Sequence, residues 1–377
     1  MKEINLNKPP LSLYIHLPWC EKQCPYCDFN ISTNKKDGDE DMLISAILRD
    51  LEESKEYISD RKFVSVYFGG GTPSLTKSKN IEKILLVLTT NKMLVKDCEI
   101  SFEFNPKEVD ASYLADLSNI GINRASIGIQ SFDNQSLKSL ERNHDAAEAF
   151  KAIEIISSIK TIKTSIDLIY GVMGQTLDSF EKDIKTFCSQ DISHLSLYQL
   201  TIEPNTIFYK KELKTPKDTE IEKMESSAKI LLNRSNFYQY EVSSWTKNQA
   251  FSKHNMNYWM YGDFLGLGPG AHSKITSKNS ITRMVKLKQV NSYIKNPTKV
   301  SKNKISSDGY DIDLAMNILR LKDGITFDQL AKRNINLTES FLQKLEYGIA
   351  NNLLERNEIK ATDIGYKFLN DTVNIFS

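Results

Sequence analysis

The sequence predicts an α/β fold: a parallel sheet with alternating helices, followed by a small domain that reads as mostly helical. Three observations predict it. The first two-thirds of the chain alternate short apolar runs with amphipathic segments, six times over. The run at 63–68 is rich in β-branched and aromatic residues, as buried strands favour. Beyond residue 307 that alternation stops, and three helical patterns take its place.

Residues 12–16 read as the first strand. Residues 39–57 read as a helix with Leu43, Ile44, Ile47, Leu48 and Leu51 on one face. Strand 63–68 and helix 81–88 follow. Strands 99–105 and 124–129 flank a short helix at 113–117. Helix 146–156, strand 165–170, a helix face marked by Leu177, Phe180, Ile184 and Phe187, and a strand at 195–200 complete the series. Pattern alone leaves the sheet either open or curled into a partial barrel. Near the C-terminus, 311–321, 327–332 and 339–351 read as helices and 357–362 as one strand of a wing. The expected domains are 1–235, an extension at 236–306, and a winged-helix-like unit at 307–377.

A chain of 377 residues with 40% hydrophobic content can bury a large core and a smaller one. A net charge of +1 excludes a polyanion binder acting through bulk charge. Residues 301–377 hold ten Lys/Arg and eleven Asp/Glu, so the wing lacks the basic surface of a DNA reader, and no nucleic-acid partner is expected. Residues 1–10 contain no apolar segment long enough for a signal peptide, and no run approaches a membrane span. A cytoplasmic protein is the expectation.

Chemistry concentrates after the first strand. Cys20, Cys24 and Cys27 stand at C-x3-C-x2-C spacing on one short loop. Three thiolates there can converge on one metal centre, and a [4Fe–4S] cluster with three protein thiolates keeps one iron open. The alternative is a structural Cys3His zinc site using His16. Structural zinc ligands usually come in two pairs on separate loops, and no second pair is present. Five cysteines make a disulfide framework a poorer reading. In a parallel barrel the loops after the strands gather on one face. That face would collect the cysteine loop, the run Gly69-Gly70-Gly71-Thr72-Pro73, Glu103 with Asn105, Gln130-Ser131-Phe132, and Asp167. Glycines let a backbone approach a ligand closely, although the same run also suits a tight turn.

The cysteine spacing, with Tyr26 before the last cysteine, resembles the radical S-adenosylmethionine (SAM) superfamily. The resemblance implies a partial (β/α)6 barrel, a [4Fe–4S] cluster on Cys20, Cys24 and Cys27, and SAM chelated at the open iron. Tyr14-x-His16, Gly-Gly-Gly-Thr-Pro, Glu103, Gly128-Ile129-Gln130-Ser131-Phe132, Arg142 and Asp167-Leu168-Ile169-Tyr170-Gly171 look like the oxygen-independent coproporphyrinogen III oxidase family. There the equivalents of Tyr14, Gly70, Gly71, Thr72, Glu103, Gln130, Arg142 and Asp167 bind SAM, with Tyr14 near the cluster. Carboxylates suit ribose hydroxyls, and an arginine fork suits the carboxylate of SAM. A reduced flavodoxin- or ferredoxin-type electron donor is compatible with this resemblance.

Two departures point to the heme chaperone branch of that family. The oxidase pattern carries a further cysteine two residues after the third, where this chain has Phe29. His254-Asn255-Met256-Asn257-Tyr258-Trp259 fits H-N-x-x-Y-W, the proposed heme-binding signature of the branch. Imidazole ligates heme iron, and aromatic rings pack on porphyrin faces. The competing reading is a hydrogen-bonded loop histidine with Tyr258 and Trp259 in the core. His272 is a second candidate. Between 273 and 307, nine Lys/Arg occur with no acid: Lys274, Lys278, Arg283, Lys286, Lys288, Lys295, Lys299, Lys302 and Lys304. Such a stretch would suit heme propionates, an anionic membrane surface or an acidic partner, and equally a solvated linker. Three readings follow: a heme chaperone that passes heme to acceptor proteins, an oxygen-independent coproporphyrinogen III dehydrogenase, and a zinc or nucleic-acid module. Phe29 and the histidine motif favour the first.

Overall fold

The computed structural model describes residues 8–277 and 280–377 of the chain. Residues 1–7, part of the N-terminal reading and of the first expected domain, lie outside the described residues, as does Lys278 of the basic stretch.

The strands are β1 (Leu11–Leu17), β2 (Phe63–Gly70), β3 (Leu94–Phe104), β4 (Arg124–Gln130), β5 (Lys163–Tyr170) and β6 (His194–Gln199). They continue with β7 (Tyr238–Gln239), β8 (Ser244–Thr246), β9 (Asp263–Leu267), β10 (His272–Ser277), β11 (Ser280–Lys286) and β12 (Val300–Lys304). All join one sheet, in the order β12-β11-β10-β9-β1-β2-β3-β4-β5-β6-β8-β7. From β9 through β1 to β6 the pairing is parallel. Helices follow the first five strands, as crossovers between parallel neighbours require. The sheet curls: Tyr67 on β2 and Tyr198 on β6 line the same cavity.

Side-chain alternation explains what that cavity is. On β1, Leu11, Leu13, Ile15 and Leu17 are buried in the main core under the helices. The intervening residues, Ser12, Tyr14 and His16, face the lumen. Ser12, Ser65, Ser101, Ser126, Ser165 and Ser196 supply one serine from each of β1 to β6. All but Ser126 are fully buried, and Ser126 is half-buried. An ordinary barrel fills its lumen with bulky branched residues. Small hydroxyls here leave the centre open and polar.

Two sequence expectations are corrected. Residues 273–307 are no solvated linker. They form β10, β11, a short helix and β12, and the 236–306 stretch adds six strands to the main sheet. Its first lysines are structural. Lys274 is 2% exposed and paired with Asp263 at 3.1 Å. Lys286 is buried and paired with Asp50, which also accepts from the Tyr293 hydroxyl at 2.7 Å. Arg283 pairs with Asp313. Lys288, Lys295, Lys299, Lys302 and Lys304 remain exposed.

The wing is the second correction. Residues 357–362 do not form a continuous strand but make isolated bridges, Ile325↔Ile359 and Leu354↔Ala361. The three expected helices are present as Ser307–Ile318, Phe327–Lys332 and Glu339–Ala350, with two further short helices at Asp363–Lys367 and Leu369–Asn374. They surround a second core that includes Leu314, Ile318, Phe341, Leu345 and Phe376, together with Tyr261 and Ile281 from the sheet extension. No helix among the described residues is long and apolar enough to cross a membrane.

Asp263 ties β9 to its neighbours. It is fully buried, pairs with Arg61 at 2.7 Å and Lys274 at 3.1 Å, and accepts from the Thr276 N–H and hydroxyl, both at 2.8 Å. Removing one partner of a buried ion pair leaves the other charge uncompensated. Asp263→Ala should therefore cost about 3–5 kcal/mol, read as a lowered urea midpoint. A change below about 0.5 kcal/mol, the range of ordinary surface substitutions, would contradict this role.

Candidate cluster and cofactor site

The cysteine loop leaves the end of β1 and is closed on itself. Ser32 N–H donates to the Pro18 carbonyl at 2.8 Å, and Cys20 N–H to the Ser32 carbonyl at 3.0 Å. Cys27 N–H donates to the Cys24 carbonyl at 3.0 Å, turning the loop so that Cys20, Cys24 and Cys27 line one cavity of about 410 Å³. All three are free thiols. Burial pushes the Cys27 thiol up to about 11 and also raises Cys20. Cys98 is buried in β3, and Cys188 packs against the main core at the end of helix Leu177–Cys188.

The residues fit a cluster better than zinc. Among the described residues, no three His, Cys, Asp or Glu side chains are grouped as a single metal ion requires. A cubane does not require that, because each thiolate ligates a different iron. His16 is also committed elsewhere. Its Nε2 lies 2.8 Å from the Asn30 carbonyl, which can only accept, so Nδ1 accepts from the Tyr14 hydroxyl at 3.1 Å.

The glycine run has a firmer reason than ligand approach. Gly71 N–H donates to the Leu17 carbonyl at 2.8 Å and Thr72 N–H to the Trp19 carbonyl at 2.7 Å. A Cβ on Gly71 would lie 2.7 Å from the carbonyl oxygens of Pro18 and Trp19. Gly70 has φ +120°, and a Cβ there would meet the His16 ring at 2.7 Å. The glycines thus let the end of β2 lie against the start of the cysteine loop. A bulky residue at Gly70 would disturb this packing before it met any ligand. Thr72 Oγ1 donates to Cys20 Sγ at 3.4 Å.

Glu103, Gln130, Arg142 and Asp167 line the same cavity, as do Gly70, Gly71 and Thr72. Glu103 accepts from the Tyr67 hydroxyl at 2.8 Å and from Gly70 N–H at 3.1 Å. Burial, with Asp167 nearby, raises its carboxyl to about 7. Asp167 accepts from Ser126 at 3.1 Å and is raised by burial to about 6. Gln130 ends β4 with φ 68°, where pairing with β5 slips. A non-glycine residue in that region is uncommon and often marks a ligand site. Arg142 reaches inward to the cysteine loop, with Nη1 3.3 Å from both Cys24 Sγ and the Tyr26 hydroxyl. Tyr14 stands beside the cavity, its ring 6.2 Å from that of Tyr67. Sequence reasoning missed Tyr67, Ser126 and Ser196. The signal was the polar residue at every second position within otherwise apolar strands.

The histidine motif lies elsewhere. It forms a short helix, Lys253–Trp259, instead of a loop, near the N-terminal ends of the strands. Ser252 and Asn255 line the cavity from that side. His254 is partly buried beside Tyr67, with ring centroids 4.9 Å apart. Its Nδ1 is 3.0 Å from Ser65 Oγ, and desolvation lowers it to about 4, so it is neutral at pH 7. Tyr258 lies tilted against Phe264, ring centroids 5.0 Å apart, and Trp259 lies under the Arg320 guanidinium at 4.2 Å. Trp259 packs against the second core, and both aromatic side chains are half-buried. His272 starts β10, exposed and paired with Val285 across the ladder.

The family model of the radical SAM superfamily matches residues 14–187. Heme chaperone HemW of Buchnera aphidicola from Acyrthosiphon pisum is 38% identical over 98% of both chains. Heme chaperone HemW of Escherichia coli is 33% identical over 98% of both. The solved structure of coproporphyrinogen III oxidase (HemN) from E. coli, a radical SAM enzyme, superposes with a TM-score of 0.81 at 20% identity, over 98% of this chain and 90% of that one. That likeness fixes the fold, and the full-length relatives fix the branch. The chain belongs to the radical SAM superfamily, within its HemN-like family, on the HemW branch.

Proposed function

We propose that this chain is a heme chaperone on a radical SAM scaffold, binding heme and handing it to acceptor proteins. The observation that carries the reading is likeness along 98% of the chain to proteins named heme chaperones. Phe29 supports it. The side chain is 62% exposed at the rim of the cavity, where the oxidase pattern has a thiol. That difference weighs against the second reading, coproporphyrinogen III dehydrogenation. A cytoplasmic setting and a flavodoxin- or ferredoxin-type donor belong to the same proposal. Lys274 and Lys286 are consumed inside the fold, so peripheral membrane contact through the 274–304 stretch would fall to the exposed Lys288, Lys295, Lys299, Lys302 and Lys304.

Cys20, Cys24 and Cys27 are the proposed cluster ligands. Such a cluster would leave one iron available to the amino and carboxylate groups of SAM. Glu103 and Asp167 offer acceptors for ribose hydroxyls, Gln130 and the 70–72 backbone border the same space, and Tyr14 lies beside it. His254 is the proposed heme ligand. Ser65 holds its Nδ1, which leaves Nε2 for iron, and burial keeps the imidazole neutral as ligation needs.

Each of Cys20→Ser, Cys24→Ser and Cys27→Ser should lose the brown, oxygen-sensitive chromophore and most of about four irons per chain. Cys98→Ser and Cys188→Ser should keep both. Retention of the full spectrum in Cys24→Ser, or stoichiometric zinc after anaerobic purification, would refute the cluster.

SAM binding should depend on pH through Glu103. Its carboxyl titrates near 7, so lowering pH from 8 to 6 protonates it and removes acceptor capacity. Calorimetry on the reconstituted protein should show affinity falling by roughly tenfold, with a flatter profile in Glu103→Gln. Equal wild-type affinity at both pH values would count against Glu103 as a SAM ligand.

The functional test is a heme titration followed by incubation with coproporphyrinogen III, SAM and a reductant. Heme should bind, protoporphyrinogen should not accumulate, and His254→Ala should weaken binding or alter the iron spectrum while the cluster survives. Multiple turnovers by the wild type would overturn the chaperone reading. Unchanged heme binding in the variant would remove only His254, leaving His272 to be tried next.

A further inference from the structure

We propose that Arg142 sets the reduction potential of the cluster by a charged hydrogen bond to one of its thiolates. The inference rests on the cluster reading above and assigns Arg142 as a positioning residue, distinct from the SAM-carboxylate role that the family resemblance implies.

The guanidinium is largely committed to protein atoms. Nη1 is 3.3 Å from Cys24 Sγ and 3.3 Å from the Tyr26 hydroxyl. Nη2 donates to Asn105 Oδ1 at 2.7 Å and to the Gly128 carbonyl at 3.1 Å. The fork is thus clamped on the β3 and β4 side and presents its charge to the sulfur. The chain is shaped for this. Glu141, the preceding residue, has φ 52°, a left-handed conformation that costs a non-glycine residue. Glu141 is held there by Lys211 at 3.0 Å and by Lys22 of the cysteine loop at 3.7 Å. Lys22 Nζ also donates to the Glu141 carbonyl at 3.2 Å. The loop and the arginine are therefore fixed to each other.

The three sulfurs are not treated alike. Cys20 receives a neutral hydroxyl from Thr72 at 3.4 Å. Cys27 receives the backbone N–H of Phe29. Cys24 receives a permanent positive charge. Reduction of [4Fe–4S]2+ to [4Fe–4S]1+ adds one electron and no proton at the sulfur, so the cluster and its thiolates become more negative by one. A fixed cation at one ligand stabilises that form, and hydrogen bonds to sulfur act in the same direction. Arg142 should raise the potential, and Thr72 should do so less.

The test uses full-length protein, purified and reconstituted anaerobically, with iron and sulfide counted. The cluster is titrated with dithionite and mediators under EPR, without SAM, in wild type, R142Q, R142K and T72V. R142Q should titrate at a more negative midpoint, by roughly tenfold in the reduction equilibrium or about 59 mV for one electron. R142K should recover part of that shift, and T72V should move it less than R142Q. A full cluster in R142Q with the wild-type midpoint would overturn the proposal. If R142Q holds too little iron, N105A, which removes the anchor of the fork and leaves the charge, should shift the midpoint negative, and no shift would be refuting. Calorimetry with SAM separates the rival role: lost SAM affinity in R142Q with an unchanged midpoint assigns Arg142 to the ligand. Absence of any cluster in the wild type would refute the cluster reading itself, a different outcome from these.

Discussion

The site depends on one contact, the close approach of the β2 terminus to the start of the cysteine loop. Gly71 and Thr72 hydrogen-bond the carbonyls of Leu17 and Trp19, and no side chain fits between them. Other elements then pin the loop from the remaining sides. Phe208 N–H reaches the Pro25 carbonyl, Asn30 reaches the carbonyls of Pro269 and Lys288, and Arg142 reaches Cys24. A loop of thiols has no packing of its own to hold a geometry. Here the surrounding backbone supplies it, which is the arrangement that preorganised ligands require.

The second constraint is the polar lumen. Six small inward serines leave the centre of the barrel open, with Ser126 on Asp167, Ser165 on His194, and Ser12 and Ser65 on each other. Burial in that space moves Glu103 and Asp167 toward neutrality. The same space reaches from the cysteine loop to Ser252, which caps the motif helix, and to Asn255 on it. One continuous cavity therefore links the two features that the sequence set apart.

Much of this was legible in residue order. The six parallel strands, the cysteine loop and the shared face of the strand-end residues follow from local periodicity and spacing. What stayed hidden depends on tertiary partners. Lys274 and Lys286 read as a basic stretch because their acids, Asp263 and Asp50, lie far from them in the sequence or just beyond the run. Residues 357–362 alternate like a strand but find only single bridging partners. Trp259 has the chemistry of a porphyrin platform, yet the C-terminal unit sets Arg320 over its ring and a second core beside it. The packing reason for Gly70 stayed hidden because the position of His16 against it cannot be seen from the sequence.

Family membership and a neutral histidine at the base of the lumen leave heme delivery as the central claim. The most direct measurement loads the reconstituted chain with heme, mixes it with an apo heme protein, and separates the two. The account predicts that the heme spectrum moves to the acceptor and that the chain returns to its heme-free state with its cluster intact. Heme that stays on the chain in the presence of excess apo acceptor would contradict it.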